Sequence, residues 1–88
     1  MRLSEGFITH DSHDEQIMVA VADMTKKFSG LVRNNRTAAF IVDCLKEETT
    51  QEAIVEKVLE HFEADREIVT RDVAGILEKL RSIGALNE

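Results

Sequence analysis

The stretch that decides the fold is Gly30–Leu45, GLVRNNRTAAFIVDCL. Its first five residues, Gly30–Asn34, contain a short apolar run and predict a brief strand. From Asn35 onward the apolar residues follow the 3.6-residue period of a helix, and the Asn35 side chain can cap the first turn. The chain is therefore expected to pass from strand to helix at this point without a glycine or proline turn.

The residues before this stretch predict the rest of a small sheet. Gly6–His10 is β-prone, the turn-forming residues 11–15 follow it, and the apolar run Ile17–Ala22 comes next. This pattern is typical of a β-hairpin. Asp23–Ser29 is mostly polar and predicts a loop that leads to the third strand. All strand candidates precede residue 35.

The residues after it predict three helices. The first runs from the Asn35 cap to about Lys46, the second from about Thr50 to Phe62 behind a Thr-x-x-Glu capping box that begins at Thr49, and the third from the Asp65 cap to the left-handed C-cap at Gly84. Strands followed by helices predict one α+β domain over residues 1–88. We expect a winged helix-turn-helix-like fold, in which a three-stranded antiparallel sheet is followed by, and packs against, three helices.

Size, charge and cysteine content narrow the possible functions. The 88 residues carry a formal net charge of −6, which makes long-range attraction to nucleic acid or to an anionic membrane unfavourable. The single cysteine, Cys44, cannot form an internal disulfide and indicates a reducing compartment. The longest apolar stretch, Ile17–Ala22, is too short to span a bilayer. We expect a cytoplasmic protein with no membrane segment.

The sequence offers no catalytic or metal-binding pattern. His10, His13, His61 and Cys44 lack the paired spacing of a zinc site, and Cys44 lies on an apolar helix face as a small core residue would. The glycines are scattered, so no phosphate-binding loop is present. The glutamates of the second helix lie on its outer face. We therefore expect a protein that is not an enzyme and that has no cofactor and no metal.

Two alternatives remain open beside a peptide-binding role. A winged-helix transcriptional regulator would bind DNA through the third helix, but its bases Arg66, Arg71, Lys79 and Arg81 are matched there by acids. DNA binding relies on a net basic footprint. A structural subunit that docks on an enzyme would use the acidic face of the second helix, around Glu56 and Glu60.

The third strand itself suggests a site. In the predicted sheet, Gly30–Asn34 pairs on one side only, and its other side is a row of unpaired N–H and C=O groups. An extended peptide can fill such an edge as an added strand. We expect Val32 to carry one of the edge N–H donors.

These residues resemble a known family. The stretches Glu5–Ile8 and Phe28–Ile41, and the pattern Asp72-Val73, Ile76-Leu77, Leu80 and Gly84, are similar in order and spacing to the small PqqD-like proteins, over nearly the whole chain. The resemblance implies a winged-helix-like fold of three strands and three helices. It also implies a recognition element that binds the leader of a ribosomally made, post-translationally modified precursor peptide. The leader would be presented to a modifying enzyme, typically a radical S-adenosylmethionine enzyme.

The resemblance also implies where the leader lies. It would add to the third strand, in a groove between that strand and the third helix. The contacts carried over are Gly30, Leu31, Val32, Arg33 and Asn34 on the strand, and Asp72, Gly75, Ile76 and Lys79 on the helix. Independently of the resemblance, the open edge predicts a monomer or a weak edge-to-edge dimer, because two such edges can pair with each other.

The chain departs from the family pattern at three positions. The family often has leucine at Asn34, glycine at Ala38 and an aromatic residue at Val42. Asn34 is expected to make the end of the edge more polar. Nothing in the sequence places the chain in the branch that serves pyrroloquinoline quinone synthesis.

Overall fold

The protein is built from a small antiparallel sheet followed by three helices, so the predicted α+β fold is confirmed. The computed structural model describes residues 1–13, 15–28 and 30–88. The elements, in chain order, are β1 (Arg2–Leu3), β2 (Phe7–Asp11), β3 (Gln16–Ala20), a 3-10 helix (Ala22–Lys26), β4 (Leu31–Asn34), α1 (Arg36–Cys44), α2 (Gln51–His61), α3 (Arg66–Ser82) and β5 (Leu86–Asn87).

The main sheet has the strand order β2-β3-β4 and is antiparallel throughout. Phe7 and Met18 are buried and Val32 is half-buried, so one face of the sheet lies on the core, while alternate residues point to the opposite face. The predicted hairpin is confirmed, with strand ends shifted by one or two residues. The predicted turn includes Asp14 and the predicted loop includes Ser29, and both residues lie outside the described part of the chain.

The segment after β3 differs from its prediction. Residues 22–26 form a 3-10 helix where the sequence predicts a loop. Met24 is half-buried and packs so closely on the chain at Gly6 that a Cβ atom there would overlap the Met24 side chain. The hydrophobic pattern does not predict this packing, because Met24 stands among polar residues and a single apolar residue defines no period.

Capping residues set the helix starts. Asn35 Oδ1 accepts a hydrogen bond from Ala38 N over 2.9 Å, as predicted. The capping box that begins at Thr49 is wrong, because Thr50 Oγ1 accepts from Ala53 N over 3.1 Å and is the N-cap of α2. The Thr49 amide instead donates to the carbonyl of Met1 over 2.9 Å. Long-range pairing of the N-terminal segment therefore decides which threonine caps the helix.

Helix α3 has both predicted ends. Asp65 Oδ1 accepts from Glu67 N over 3.2 Å at its start, and Gly84 follows its end with φ of +76°. Such a positive φ is the left-handed conformation that glycine adopts without a Cβ clash. The chain then turns back toward the N-terminal segment.

Two short strands were not predicted. β1 pairs with β5 in an antiparallel ribbon, with Leu3 opposite Leu86. Ser4 N donates to Ala85 O over 2.7 Å and extends the contact. The expectation that all strands precede residue 35 is therefore wrong, since a two-residue strand is too short to show alternation.

One core joins the sheet to the helices. The buried hydrophobic residues are Phe7, Met18, Ile41, Val42, Leu45, Ile54, Val55, Val58, Val69, Val73, Leu77, Leu80 and Ala85. Among the described residues, no helix is both long and apolar enough to cross a membrane. Because α3 supplies four of the buried side chains, its inner face is fixed and its remaining faces are available for other contacts.

Candidate functional site

The candidate site is the open side of β4. This strand is the last in the order β2-β3-β4, so only one of its sides is paired within the sheet. Apart from that ladder, no backbone group in the described residues bonds to Leu31–Arg33. An unpaired strand side is a template for another extended chain.

The hydrogen-bond pattern of the sheet tells which groups point outward. Facing residues in an antiparallel pair alternate between those that exchange backbone hydrogen bonds and those that do not. Ser12 N donates to Glu15 O over 2.9 Å, and Val21 N donates to Gly6 O over 2.8 Å. Both bonds continue the register of β2 with β3. The odd-numbered residues of β3 therefore bond to β2, and its even-numbered residues bond to β4.

The outward groups of β4 belong to Leu31 and Arg33. Because Met18 faces Val32 in the register, Val32 and Asn34 direct their N–H and C=O groups toward β3. Leu31 and Arg33 direct theirs to the open side. The prediction that Val32 carries an edge donor is therefore wrong, since its amide belongs to the ladder inside the sheet.

Side chains of β4 alternate between two faces. Leu31 is 52% exposed and Arg33 is exposed on the outer face, whereas Val32 and Asn34 point to the core side. Gly30 precedes the strand with φ of +102° and is exposed. An added strand would therefore meet Leu31 and Arg33 on one face and Val32 on the other.

Asn34 is only 6% exposed and is held in a polar network. Its Nδ2 donates to Gln16 Oε1 over 3.1 Å. The Nε2 of Gln16, which is fully buried, donates to Asp11 Oδ1 over 3.0 Å and to Asp43 Oδ1 over 3.1 Å. The expectation that Asn34 makes the edge more polar is wrong for its side chain, because that amide faces inward and ties β4 to β3, β2 and α1.

A groove of about 490 Å³ lies next to the end of β4. Its walls are the first turn of α1 and one face of α3, and its lining residues are Asn35, Thr37, Arg71, Asp72, Gly75, Ile76 and Lys79. All four predicted helix residues are thus brought together there. Sequence reasoning missed Asn35, Thr37 and Arg71. Helical spacing gives a signal for Arg71, which lies four residues before Gly75 on the same face.

Gly75 lines this groove without a side chain. A Cβ atom built at Gly75 meets no other atom within 4 Å, so the packing of the free protein does not require glycine. Glycine within a helix costs about 0.5–1 kcal/mol relative to alanine. The position therefore has a cost in stability, which a backbone or side chain lying against α3 would explain.

A larger depression, of about 830 Å³, opens between the start of α2 and α3. Its lining residues include Glu56 and Arg66, whose Oε1 and Nη1 atoms are 2.7 Å apart. The hydrogen bond from Arg66 lowers the pKa of the Glu56 carboxyl. None of its lining residues is next to β4 in the sequence, whereas Asn35 of the smaller groove directly follows that strand.

The charges of α3 disfavour a DNA-binding surface. Arg66 is paired with Glu56, and Arg81 is paired with Glu78 over 3.2 Å and Glu88 over 2.8 Å. Two of the four bases considered for phosphate contacts are therefore neutralised within the protein. The remaining two, Arg71 and Lys79, lie in the groove beside β4.

The histidines and the cysteine do not form a metal site. Within residues 1–13, 15–28 and 30–88, no three His, Cys, Asp or Glu side chains are placed to share an ion. His61 stacks on Phe40 with ring centroids 4.6 Å apart. Cys44 is half-buried against the core, and burial raises the pKa of its thiol. His61 and Cys44 thus have packing roles.

The family model for coenzyme PQQ synthesis protein D (PqqD) matches residues 15–86, which is most of the chain. The chain belongs to the PqqD family. The PqqD-like domains are non-catalytic peptide-binding domains, so the prediction that the chain is not an enzyme is confirmed. The matched residues include β4, which is the edge strand, and α1 and α3, which form the walls of the groove.

Two solved structures share the PqqD-like fold of this chain. TbiB1 in complex with the TbiA(beta) leader peptide is 21% identical with a TM-score of 0.82, and the match covers 99% of this chain and 95% of that one. Lasso peptide synthetase B1 complexed with the leader peptide is 18% identical with a TM-score of 0.77, and the match covers 99% and 96%. No curated protein sequence matches the chain significantly. The fold over 99% of the chain is thus similar to that of two proteins solved with leader peptides.

Proposed function

We propose that this PqqD-like protein binds the leader segment of a ribosomally made precursor peptide by strand addition to β4, and presents it to a modifying enzyme such as a radical S-adenosylmethionine enzyme. The observation that carries the proposal is the open backbone of Leu31 and Arg33 beside the groove on α3. The occupied state of both similar structures, each solved with a leader peptide, supports it.

The geometry divides the work of binding between backbone and side chains. Leu31 and Arg33 each offer one N–H and one C=O, so an added strand gains up to four backbone hydrogen bonds that do not depend on its sequence. The leader residue opposite Val32 points to the inner face of the sheet, toward the groove. That residue supplies side-chain selectivity through its contacts with Gly75 and Ile76.

Presentation requires that binding leave other surfaces accessible. The bound leader lies along one edge of the sheet, while the acidic outer face of α2 stays exposed. The chain supplies recognition and the partner enzyme supplies the chemistry. We place this work in the cytoplasm, where the single free Cys44 stays reduced.

The test is a titration of isotope-labelled protein with the leader peptide of the precursor encoded beside its gene. We expect the largest amide shifts at Leu31, Arg33 and residues 71–79. Gly75→Leu should weaken binding at least tenfold by filling the groove, while Ala74→Leu, at an exposed position outside it, should bind as the parent does.

Two results would overturn the proposal. One is a set of shifts confined to surfaces other than β4 and α3 while the leader binds. The other is a Gly75→Leu variant that is folded, by the dispersion of its amide spectrum, and binds unchanged. Retardation of duplex DNA at low salt by the free protein would instead support the transcriptional alternative.

A further inference from the structure

We infer that this protein selects an acidic peptide strand and reads it on the outer face of the sheet, with an apolar residue beside Leu31 and an Asp or Glu, two residues away, beside Arg33. The inference rests on the proposed strand addition and adds a sequence rule to it. It concerns a face of the sheet that the groove on α3 does not include.

The apolar position follows from the strand register. Ile8 faces Val19, and Val19 faces Leu31, so the three side chains form one row across the outer face. Ile8 is 54% exposed and Leu31 is 52% exposed, whereas Val19 between them is half-buried. A strand added to β4 places one residue directly beside Leu31, as a fourth member of this row. An apolar side chain there covers the exposed part of Leu31.

The acidic position follows from the next row. His10, Ile17 and Arg33 lie side by side on the same outer face. Within the described residues, no carboxylate lies within ion-pair distance of the Arg33 guanidinium. Opposite charges directly across a strand pair are favourable, and a carboxylate can accept two hydrogen bonds from an arginine. An Asp or Glu of the peptide therefore suits the position beside Arg33.

The charges around the edge favour an acidic partner more generally. The protein as a whole carries 17 acids and 11 lysines and arginines. This balance is reversed among the residues that line the groove beside β4, because they include the bases Arg71 and Lys79 and the one acid Asp72, and Arg33 is exposed on the strand itself. The binding edge is thus a basic region on an acidic protein, and it attracts an acidic segment while the rest of the surface repels it.

Outer and inner faces then read alternate residues of one peptide. The apolar and acidic residues are separated by one residue, and that residue points into the groove opposite Val32. The rule is therefore a triplet whose outer members are apolar and acidic and whose middle member fits the groove. The direction of the added strand sets which of the two outer members comes first.

The experiment selects binders from a random 12-residue peptide library displayed on yeast, with the purified full chain as the bait. We expect enrichment of the triplet, and roughly fivefold weaker binding of a synthetic copy in which the acid is replaced by its amide, the size of a favourable exposed ion pair. Selection on Arg33→Glu should replace the acid by Lys or Arg at the same spacing. Selection on Leu31→Thr should lose the apolar preference and keep the acid.

A matched control separates this rule from general electrostatics. Lys26→Glu changes the net charge by the same amount as Arg33→Glu and is exposed on the 3-10 helix. It should leave the enriched triplet unchanged. If Lys26→Glu and Arg33→Glu alter the selected peptides equally, the net charge of the protein explains the preference for an acid, and the pairing with Arg33 is overturned.

The outcomes also distinguish the rule from the proposed function. Arg33→Pro removes an outward amide that Arg33→Ala keeps. In one outcome, the selected peptides bind Arg33→Pro more weakly than Arg33→Ala, but they show neither the triplet nor the charge switch. This outcome overturns the sequence rule and leaves strand addition supported. Peptides that bind the two variants equally overturn strand addition at β4 and the rule with it.

Discussion

Asn34 has a different role in the structure from the one that its sequence position predicts. Its position at the end of a strand predicts an edge residue, but its side chain lies inside the sheet and bonds to Gln16. Gln16 in turn binds two carboxylates, Asp11 and Asp43. The two amides thus hold the open strand in place from its inner side, through a hydrogen bond that the position of Asn34 in the sequence does not reveal.

This pairing predicts a non-additive effect on stability. Asn34→Leu leaves the buried Gln16 oxygen without its donor and should lower the free energy of unfolding by about 1–3 kcal/mol. Adding Gln16→Leu removes the stranded oxygen as well, so the double variant should lose less than the sum of the two single variants. Urea denaturation of all four proteins measures the coupling, and additivity within about 0.5 kcal/mol would refute it.

Sequence reasoning could not find this network. The residue types predict that β4 is short and that a helix capped by Asn35 follows it, and both predictions are confirmed. The direction of the Asn34 side chain depends on the register of β3 with β4, which no local pattern encodes. Gln16, placed before an apolar run, gives no sign that it will be fully buried.

At the scale of the element, β4 has two kinds of backbone amide. The amide of Val32 lies in the ladder with β3, and that of Arg33 points to the open side. The strand is thus both a structural part of the sheet and the candidate binding surface. The two roles alternate from one residue to the next.

Proline substitutions should separate these roles. Val32→Pro removes a ladder hydrogen bond and should destabilise the fold by a few kcal/mol, comparable with the roughly 3 kcal/mol that a proline costs inside a helix. Arg33→Pro removes only an outward donor and should leave the fold closer to its Arg33→Ala control. Thermal unfolding followed by circular dichroism compares them. Greater destabilisation by Arg33→Pro than by Val32→Pro would mean that the assignment of outward amides is reversed.

Helices α2 and α3 are joined by an exposed ion pair whose effect depends on pH. The Arg66 hydrogen bond holds the pKa of Glu56 below its ordinary value of 4.5. Because the folded pKa is lower than the unfolded one, the stabilisation is present above pH 4.5 and is lost as the pH falls through the lowered value.

We therefore expect the stability difference between the parent and Glu56→Gln to be largest at neutral pH and to shrink in acid. Urea denaturation at pH 7 and at several values below 4.5 measures it. Glu60→Gln, on the exposed side of the same helix, serves as the control. A difference that stays constant over this range would show that the carboxylate charge of Glu56 does not contribute.

For the whole molecule, the sequence predicts the order of strands and helices, because apolar period and capping residues are local. It misses the β1–β5 ribbon, since Arg2–Leu3 and Leu86–Asn87 are too short to carry a period. It also misplaces the cap of α2, because Thr49 is occupied by the N-terminal segment. The structural features that the sequence does not predict are those that form only when two segments far apart in the chain come into contact.

The same limit applies to the candidate site. A resemblance to a family supplies the residues of β4 and α3, and the structure gathers the helix residues around one groove. Which amides point outward, and which side chains face the ligand, follows only from the register. The site is thus predictable as a place on the chain, while its chemistry depends on the assembled sheet.

An edge that is open to a peptide is also open to a second copy of the protein. Full antiparallel overlap of two β4 strands, centred on Val32, would set each Leu31 opposite the other copy's Arg33. Each apolar side chain would then face a guanidinium, and neither arginine would gain a carboxylate. We therefore expect Arg33 to disfavour this pairing between two copies and to leave the edge to a peptide that brings a carboxylate.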